Sequence, residues 1–254
     1  MTSRVDPCIH VIVGFMNLSV VIPAYNEEKY ITETLEAVRL ALHPIPDAEI
    51  IVVDNQSTDA TREIAHAFSA KIVDEDEHNI GQVRNTGSRA AAGAVLVFLD
   101  ADTTVAPGVF ERIIEVMGDP GCVGGSVAVE YEAPRTRRIF MRWFMRLWTF
   151  LGRLTKMRQG ALQFCRADVF REMGGYDTTI YVGEDIEFHW RLDKLARRRT
   201  GFTAFVEEPK VRTSSRRWEK MGLMPMLFYT HPVTIFLMWR VHWMWKAWYE
   251  NALR

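Results

Sequence analysis

Two aspartates set one residue apart, Asp100 and Asp102, close an apolar run in VLVFLDADTTV, residues 95–105. Their hard oxygen ligands suit Mg2+ or Mn2+, which bind through one or two carboxylates and fill the rest of the shell with water and substrate phosphate. Side chains alternate faces along an extended chain, so carboxylates at i and i+2 at a strand end point the same way and can share one cation. An ordinary acidic turn is the plainer reading of the same pair. A second acidic pair, Glu184 and Asp185, follows Gly183 where the helical pattern DIEFHWRLDKLARR begins. A carboxylate at a helix N-terminus is favoured in its ionised form, and simple capping is the alternative use of these residues.

Elements that position such groups are legible in the N-terminal half. LSVVIP (18–23), EIIVVD (49–54), AKIVD (70–74) and AVLVFLD (94–100) are continuously apolar, as strands of a parallel sheet buried on both faces should be. Helical patterns fit between them. EEKYITETLEAVRLAL (27–42) spaces Ile31, Leu35, Val38 and Leu42 along one side, and TDATREIAHAFS (58–69) starts at Ser57 or Thr58 as N-cap. A third helix is predicted over 81–92, where three successive alanines favour it. The alternation reads as α/β with a mostly parallel sheet flanked by helices. Ligands bind beyond the carboxyl ends of such strands, where Pro23, Ala24, Tyr25, Asn26 and Glu27, then Asp54, Asn55 and Gln56, then Asp100 and Asp102 gather. No GxGxxG follows a strand and no GxxxxGK[ST] occurs, which disfavours a dinucleotide dehydrogenase and a P-loop NTPase.

In order along residues 18–222, SVVIPAYNEE, VVDNQSTDAT, GQVRNTGSRAA, FLDAD, GGYDTTIYVGEDIEFHWRL and TSSRRWEKMG resemble the motifs of family 2 glycosyltransferases of the GT-A fold. The resemblance implies nucleotide binding by Pro23, Ala24, Tyr25, Glu27, Asp54, Arg84 and Asp100. It implies a cation on Asp102 with Asp100 nearby, and a catalytic base in the GED motif, with Asp185 taking the acceptor proton beside Glu184. Arg216 and Arg217 then stand to add positive charge from a closing loop, since arginine matches phosphate oxygens. Single displacement by a deprotonated hydroxyl predicts inversion at the anomeric carbon. The implied donor is a UDP- or GDP-linked sugar. One departure stands out: the usual VDDGS is VDNQS, with Asn55 for the second Asp and Gln56 for Gly. That departure is the one hint of a nucleotide-sugar-binding subunit without catalysis.

At 254 residues the chain reads as one catalytic domain over 16–222, a nucleotide half to about 105 and an acceptor half from 106. Residues 1–15 form an extension not expected to be structured, and Met16 is an alternative start. The formal net charge of −1 argues against a nucleic-acid binder. Cys8, Cys122 and Cys165 are too few and too widely spaced for a zinc site, and their odd number argues against a disulfide framework, which suits a reducing compartment. His189 reads as a packed helix residue. Segment 139–156 places Arg142, Arg146, Arg153 and Lys156 on one side of an apolar, Trp-containing helix, and 223–254 clusters Trp239, Trp243, Trp245 and Trp248 with Arg240 and Lys246. Both patterns suit a membrane interface; packing on the domain, or a homodimer contact, is the alternative. The reading is a cytoplasmic, peripheral membrane enzyme whose acceptor is a sugar or lipid-linked hydroxyl, or else a soluble one.

Overall fold

Strands form where the sequence can be buried on both faces. In the computed structural model, which describes residues 17–132, 160–214, 216, 234 and 237–241, β1 (Leu18–Ala24), β2 (Glu49–Asp54), β3 (Lys71–Asp74) and β4 (Val95–Leu99) pair in parallel in the order β3-β2-β1-β4. Alternation along β1 and β4 divides the apolar residues between two cores. Val20, Ile22, Val95 and Val97 enter one, and Val21, Leu96 and Phe98 enter the other. Residues 1–16, Arg217, segment 139–156 and most of 223–254, with Trp243, Trp245, Trp248 and Lys246, lie outside the described residues.

The first two helices start later than their sequence patterns suggest. Helix α1 (Ile31–Leu42) begins four residues after Glu27, whose carbonyl closes the intervening turn by accepting the Tyr30 and Ile31 N–H groups, each at 2.9 Å. Helix α2 (Thr61–Ala67) is capped neither by Ser57 nor by Thr58; the Asp59 carboxylate accepts the Thr61 N–H at 3.0 Å instead. The third, α3 (Ile80–Ala90), starts at Asn79, whose side chain accepts the Gln82 N–H. Ala91 and Ala92 leave it to lead into β4, so the link to the strand overrides alanine's helix preference.

Beyond β4 the sheet turns mixed, a departure from the uniform pattern of its first half. After β5 (Thr103–Val105) and α4 (Val109–Met117) come β6 (Cys122–Glu132), β7 (Leu162–Arg166), α5 (Ala167–Glu172), α6 (Glu184–Arg198) and β8 (Phe202–Ser214). Strand β7 runs antiparallel to both β4 and β6, β6 pairs in parallel with β8, and β5 closes the edge antiparallel to β8. This places β7 beside β4 and brings the start of α6 to the carboxyl end of the parallel strands.

Close packing of α3 on the sheet depends on one glycine. A Cβ at Gly87 would overlap the Val21 side chain and lie 2.7 Å from Val53 Cγ2. Gly87→Ala is expected to destabilise the fold by about 1–3 kcal/mol through overpacking, despite alanine's better helix propensity. Urea denaturation of the variant, with an unchanged m-value, is the check.

Candidate functional site

The spacing suggested that strand alternation would place Asp100 and Asp102 together, but β4 ends at Leu99 and both lie beyond it. They sit on a tight turn in which the Thr103 N–H bonds the Asp100 carbonyl at 3.1 Å. Three elements hold that turn. The Asp100 N–H donates to Ala161 O at 3.1 Å, Thr34 of α1 donates its hydroxyl to Ala101 O at 2.8 Å, and the Ser214 N–H donates to Asp102 O at 3.2 Å. Thr34 is 1% exposed, a buried polar residue whose single bond fixes α1 to the acidic turn.

Each aspartate meets a different arginine. Asp102 Oδ2 lies 3.1 Å from Arg216 Nε, and the rest of that guanidinium grips Glu27, with Nη1 at 2.7 Å from Oε2 and Nη2 on Oε1. Arg216 also lies over the Tyr30 ring, 4.5 Å from its centroid. Burial pushes the Glu27 carboxyl up to about 7, against the opposing bonds from Arg216. Asp100 Oδ1 is 2.8 Å from Arg84 Nη2, while Arg84 Nη1 donates to Glu184 Oε1 at 2.7 Å. The Arg84 side chain is 4% exposed. It is held between the acidic turn and the first residue of α6.

Gly183, at φ +82°, delivers the chain into α6, and Glu184 and Asp185 form its first turn. Asp185 is half-buried, its Oδ1 accepting the Ile186 N–H at 2.8 Å. Burial first, and the neighbouring Glu184 charge second, raise its carboxyl to about 7, with Arg84 opposing. Gly160 forms the wall against it. A Cβ there would overlap the Asp185 Cβ and lie 2.7 Å from its Oδ2. With Asp185 as the base that the family resemblance implies, Gly160→Ala is expected to displace the carboxylate and lower turnover on the order of 100-fold, as an error of about 1 Å in placement does. Steady-state kinetics beside an unchanged circular-dichroism spectrum would check this.

The loops after β1 and β2 latch together. Asn26 accepts the Thr58 N–H at 2.8 Å, its own N–H donates to Ser57 Oγ at 3.0 Å, and the Glu27 N–H donates to Thr61 Oγ1 at 2.7 Å. Pro23 and Ala24 are the buried last residues of β1, and Ala24 O accepts the Asn55 N–H at 2.9 Å. Tyr25 is half-buried, its ring edge-on to His78 at 5.1 Å between centroids. Asp54, 5% exposed at its side chain, accepts from Ser57 N–H at 3.1 Å and pairs with Arg62 at 3.2 Å.

The VDNQS departure has a local physical reason. The Asn55 amide donates to Glu75 O at 2.5 Å and Glu77 O at 3.0 Å, while its Oδ1 faces His78 Nδ1 at 3.0 Å. An ionised aspartate has no N–H to offer those carbonyls. Gln56 takes φ +64°, the left-handed region where a glycine would sit without strain.

Sequence reasoning passed over several residues of this cluster. Asn85 of α3 bonds both the N–H and the carbonyl of Tyr176, at 2.8 and 3.0 Å, and Asn79 donates to Thr178 O at 2.9 Å. Gln163 and Tyr176 bond each other under α6. A polar residue inside the apolar strand LQFC was the available signal for Gln163. The C-terminal residues that are described touch the same region: Trp239 O accepts the Tyr181 N–H at 2.9 Å, and Arg240 pairs with Asp177 at 2.9 Å. His189 is buried, as expected of a packed residue. Among the described residues no helix is long and apolar enough to cross a membrane.

The donor set fits a hard divalent cation that shares its shell with a substrate. Among the described residues no three acidic, His or Cys side chains gather to hold a metal by themselves. Two carboxylates on one turn supply what Mg2+ or Mn2+ takes from protein when phosphate oxygens supply the rest.

Residues 19–174 match the profile described as Glycosyl transferase family 2. Glycosyltransferase AglE of Haloferax volcanii is 31% identical over 183 residues, spanning 68% of this chain and 59% of that protein. Validoxylamine A glucosyltransferase of Streptomyces hygroscopicus subsp. jinggangensis is 29% identical over 214 residues, spanning 69% of this chain and 51% of that protein. The chain thus covers only part of the length of these relatives. Among solved structures, the mannosyltransferase PcManGT of Pyrobaculum calidifontis, in complex with GDP-Man and Mn2+, superposes with a TM-score of 0.60 at 19% identity, over 80% of this chain and 58% of that one. Glucosyl-3-phosphoglycerate synthase of Mycobacterium tuberculosis, with Mg2+ and UDP, gives 0.61 at 18% identity, over 95% and 85%. These likenesses bear out the expected GT-A fold class. With the matched profile covering more than half its residues, the chain belongs to glycosyl transferase family 2.

Proposed function

We propose that the protein transfers a sugar from a nucleoside-diphosphate sugar to an acceptor hydroxyl, with inversion, and that residues 16–222 form the catalytic unit. The observation that carries this reading is the juxtaposition, through one buried guanidinium, of the acidic turn with the acidic start of α6. Arg84 joins Asp100 to Glu184, so the acidic turn and the first turn of α6, which carries Asp185, are held as one unit. Asp102 and Asp100 would hold Mg2+ or Mn2+, which when bound supplies charge to neutralise the departing diphosphate.

The chain's own residues do the rest. The latched loops after β1 and β2, with Pro23, Ala24, Tyr25, Glu27 and Asp54, form the nucleotide side. Arg216, with Arg217 adjacent in sequence, offers a guanidinium to phosphate oxygens when it leaves Glu27. Asp185, in its partly desolvated place, takes the proton of the attacking hydroxyl. Glu184 stays paired with Arg84 and keeps that end of the site fixed. Direct attack by the deprotonated hydroxyl on the anomeric carbon inverts its configuration.

The structural neighbours crystallised with GDP-Man and Mn2+, or with UDP and Mg2+, support a nucleotide-sugar donor and a divalent cation. The acceptor is proposed to be lipid-linked and presented at the cytoplasmic membrane face, on the strength of the basic, aromatic sequences 139–156 and 223–254. A thermal-shift panel of UDP- and GDP-sugars with and without Mn2+ tests the donor claim, because a ligand that binds only the folded form raises its stability. Stabilisation by a nucleotide sugar that grows with Mn2+ is the expected result; no shift with any of them would overturn it.

A further inference from the structure

We propose that Gln163 and Tyr176 form a buried positioning pair that sets the place of Asp185, an inference that rests on Asp185 being the base. Gln163 is 1% exposed on β7, between Leu162 and Phe164, which are fully buried. A primary amide among apolar neighbours is costly unless it is hydrogen-bonded, and both ends of this one are. Its Oε1 accepts the Tyr176 hydroxyl at 3.0 Å, and its Nε2 donates to the main-chain carbonyl of Asp185 at 2.9 Å.

Tyr176, 2% exposed, is fixed from three other directions. Asn85 of α3 bonds both its backbone N–H and its carbonyl. Its ring stacks on Phe188 of α6, 4.3 Å between centroids and 20° between planes, and turns a face toward the Arg84 guanidinium at 5.3 Å. The pair therefore links α3, β7 and the first turn of α6, and reaches both acidic residues: Asp185 through its carbonyl, Glu184 through Arg84. Packing alone does not require these polar atoms. The ring cluster of Phe98, Phe170, Tyr176 and Phe188 fills the space with or without the hydroxyl. What the two bonds add is a fixed register of the α6 first turn against the sheet.

The test uses Tyr176→Phe and Gln163→Leu in the full chain. Donor hydrolysis, with water as acceptor, is followed as nucleotide release from UDP-glucose and GDP-mannose with Mn2+ across a range of pH. Each variant is expected to lose about tenfold in kcat with donor KM unchanged, a fraction of what a full misplacement of about 1 Å removes, and to shift the acidic limb of the pH profile. Amide hydrogen exchange of Glu187 and Phe188 in the first turns of α6 should quicken in both variants, a readout that needs no turnover. Wild-type kcat and wild-type protection in a folded Tyr176→Phe protein would overturn the proposal, as would kcat falling only in step with the folded fraction. Asp185→Asn run in parallel separates the two claims. Hydrolysis surviving in that variant removes the base assignment, whereas its loss there with no effect of Tyr176→Phe removes only the positioning role.

Discussion

Asp185→Asn is expected to lower turnover by roughly 10²–10⁴-fold, the range a positioned general base contributes, while leaving nucleotide-sugar affinity unchanged. The amide keeps the shape of the side chain and can still accept the Ile186 N–H, so the first turn of α6 is preserved. What it loses is the lone pair that takes a proton. In the wild type the reactive form is the ionised one, and burial with the Glu184 charge raises that carboxyl from 3.8 to about 7. The rate should therefore rise with pH through a limb centred near 7 and level off above it. Linkage gives a second signature of the opposite sign. A carboxyl whose folded pKa is raised destabilises the native state as it ionises, an effect absent below pH 3.8, growing between 3.8 and about 7, and complete above. The Asn variant, which never ionises, should melt higher than wild type at pH 8 and at the same temperature as wild type near pH 3.5. An inactive variant with no such pH-dependent gain would place the carboxylate in a different environment from the one described.

Arg84→Met should have the largest effect on stability of any single substitution in the site. The guanidinium is almost wholly enclosed and bonds two carboxylates, one at the acidic turn and one on α6. Methionine approximates its stem but leaves the Glu184 carboxylate, 11% exposed, without its cation. Removing one partner of a buried pair destabilises by about 3–5 kcal/mol, because the remaining charge is left desolvated and unpaired. Asp100, with 37% of its side chain exposed, can turn to water and adds less. Denaturant titration at neutral pH checks this, and a loss under about 1 kcal/mol, the worth of a surface pair, would show that the bridge is not a buried one.

The parts of this molecule legible in the sequence are those set by local pattern. Apolar runs marked β1, β2 and β4, which are largely buried, while β3 at the sheet edge is exposed at Lys71 and Asp74 and was legible from its short apolar pair alone. The helix after Gly183 was legible from its acidic start. Helix beginnings were less so: Glu27 closes its turn through its carbonyl and Asp59 through its carboxylate, bonds that an apolar period does not register. The antiparallel insertion of β7 between β4 and β6 is long-range pairing and left no local trace. Individual site residues were visible by type, but their partners were not. Arg84 meets Glu184 100 positions away, and Arg216 meets Glu27 189 positions away. Strand alternation does not place Asp100 and Asp102, since a turn beyond β4 carries them. The Asn55 departure, which hinted at lost function, reads in three dimensions as the tether of the 75–78 loop.

The most direct measurement of the central claim is a crystal structure of the protein with Mn2+ and the nucleotide sugar that stabilises it, with an anomalous map at the manganese edge. The account predicts one peak bounded by Asp102, Asp100 and the diphosphate oxygens, with Asp185 facing the anomeric carbon from the other side. Nucleotide bound in the cleft with both aspartates turned away from any ion would contradict it.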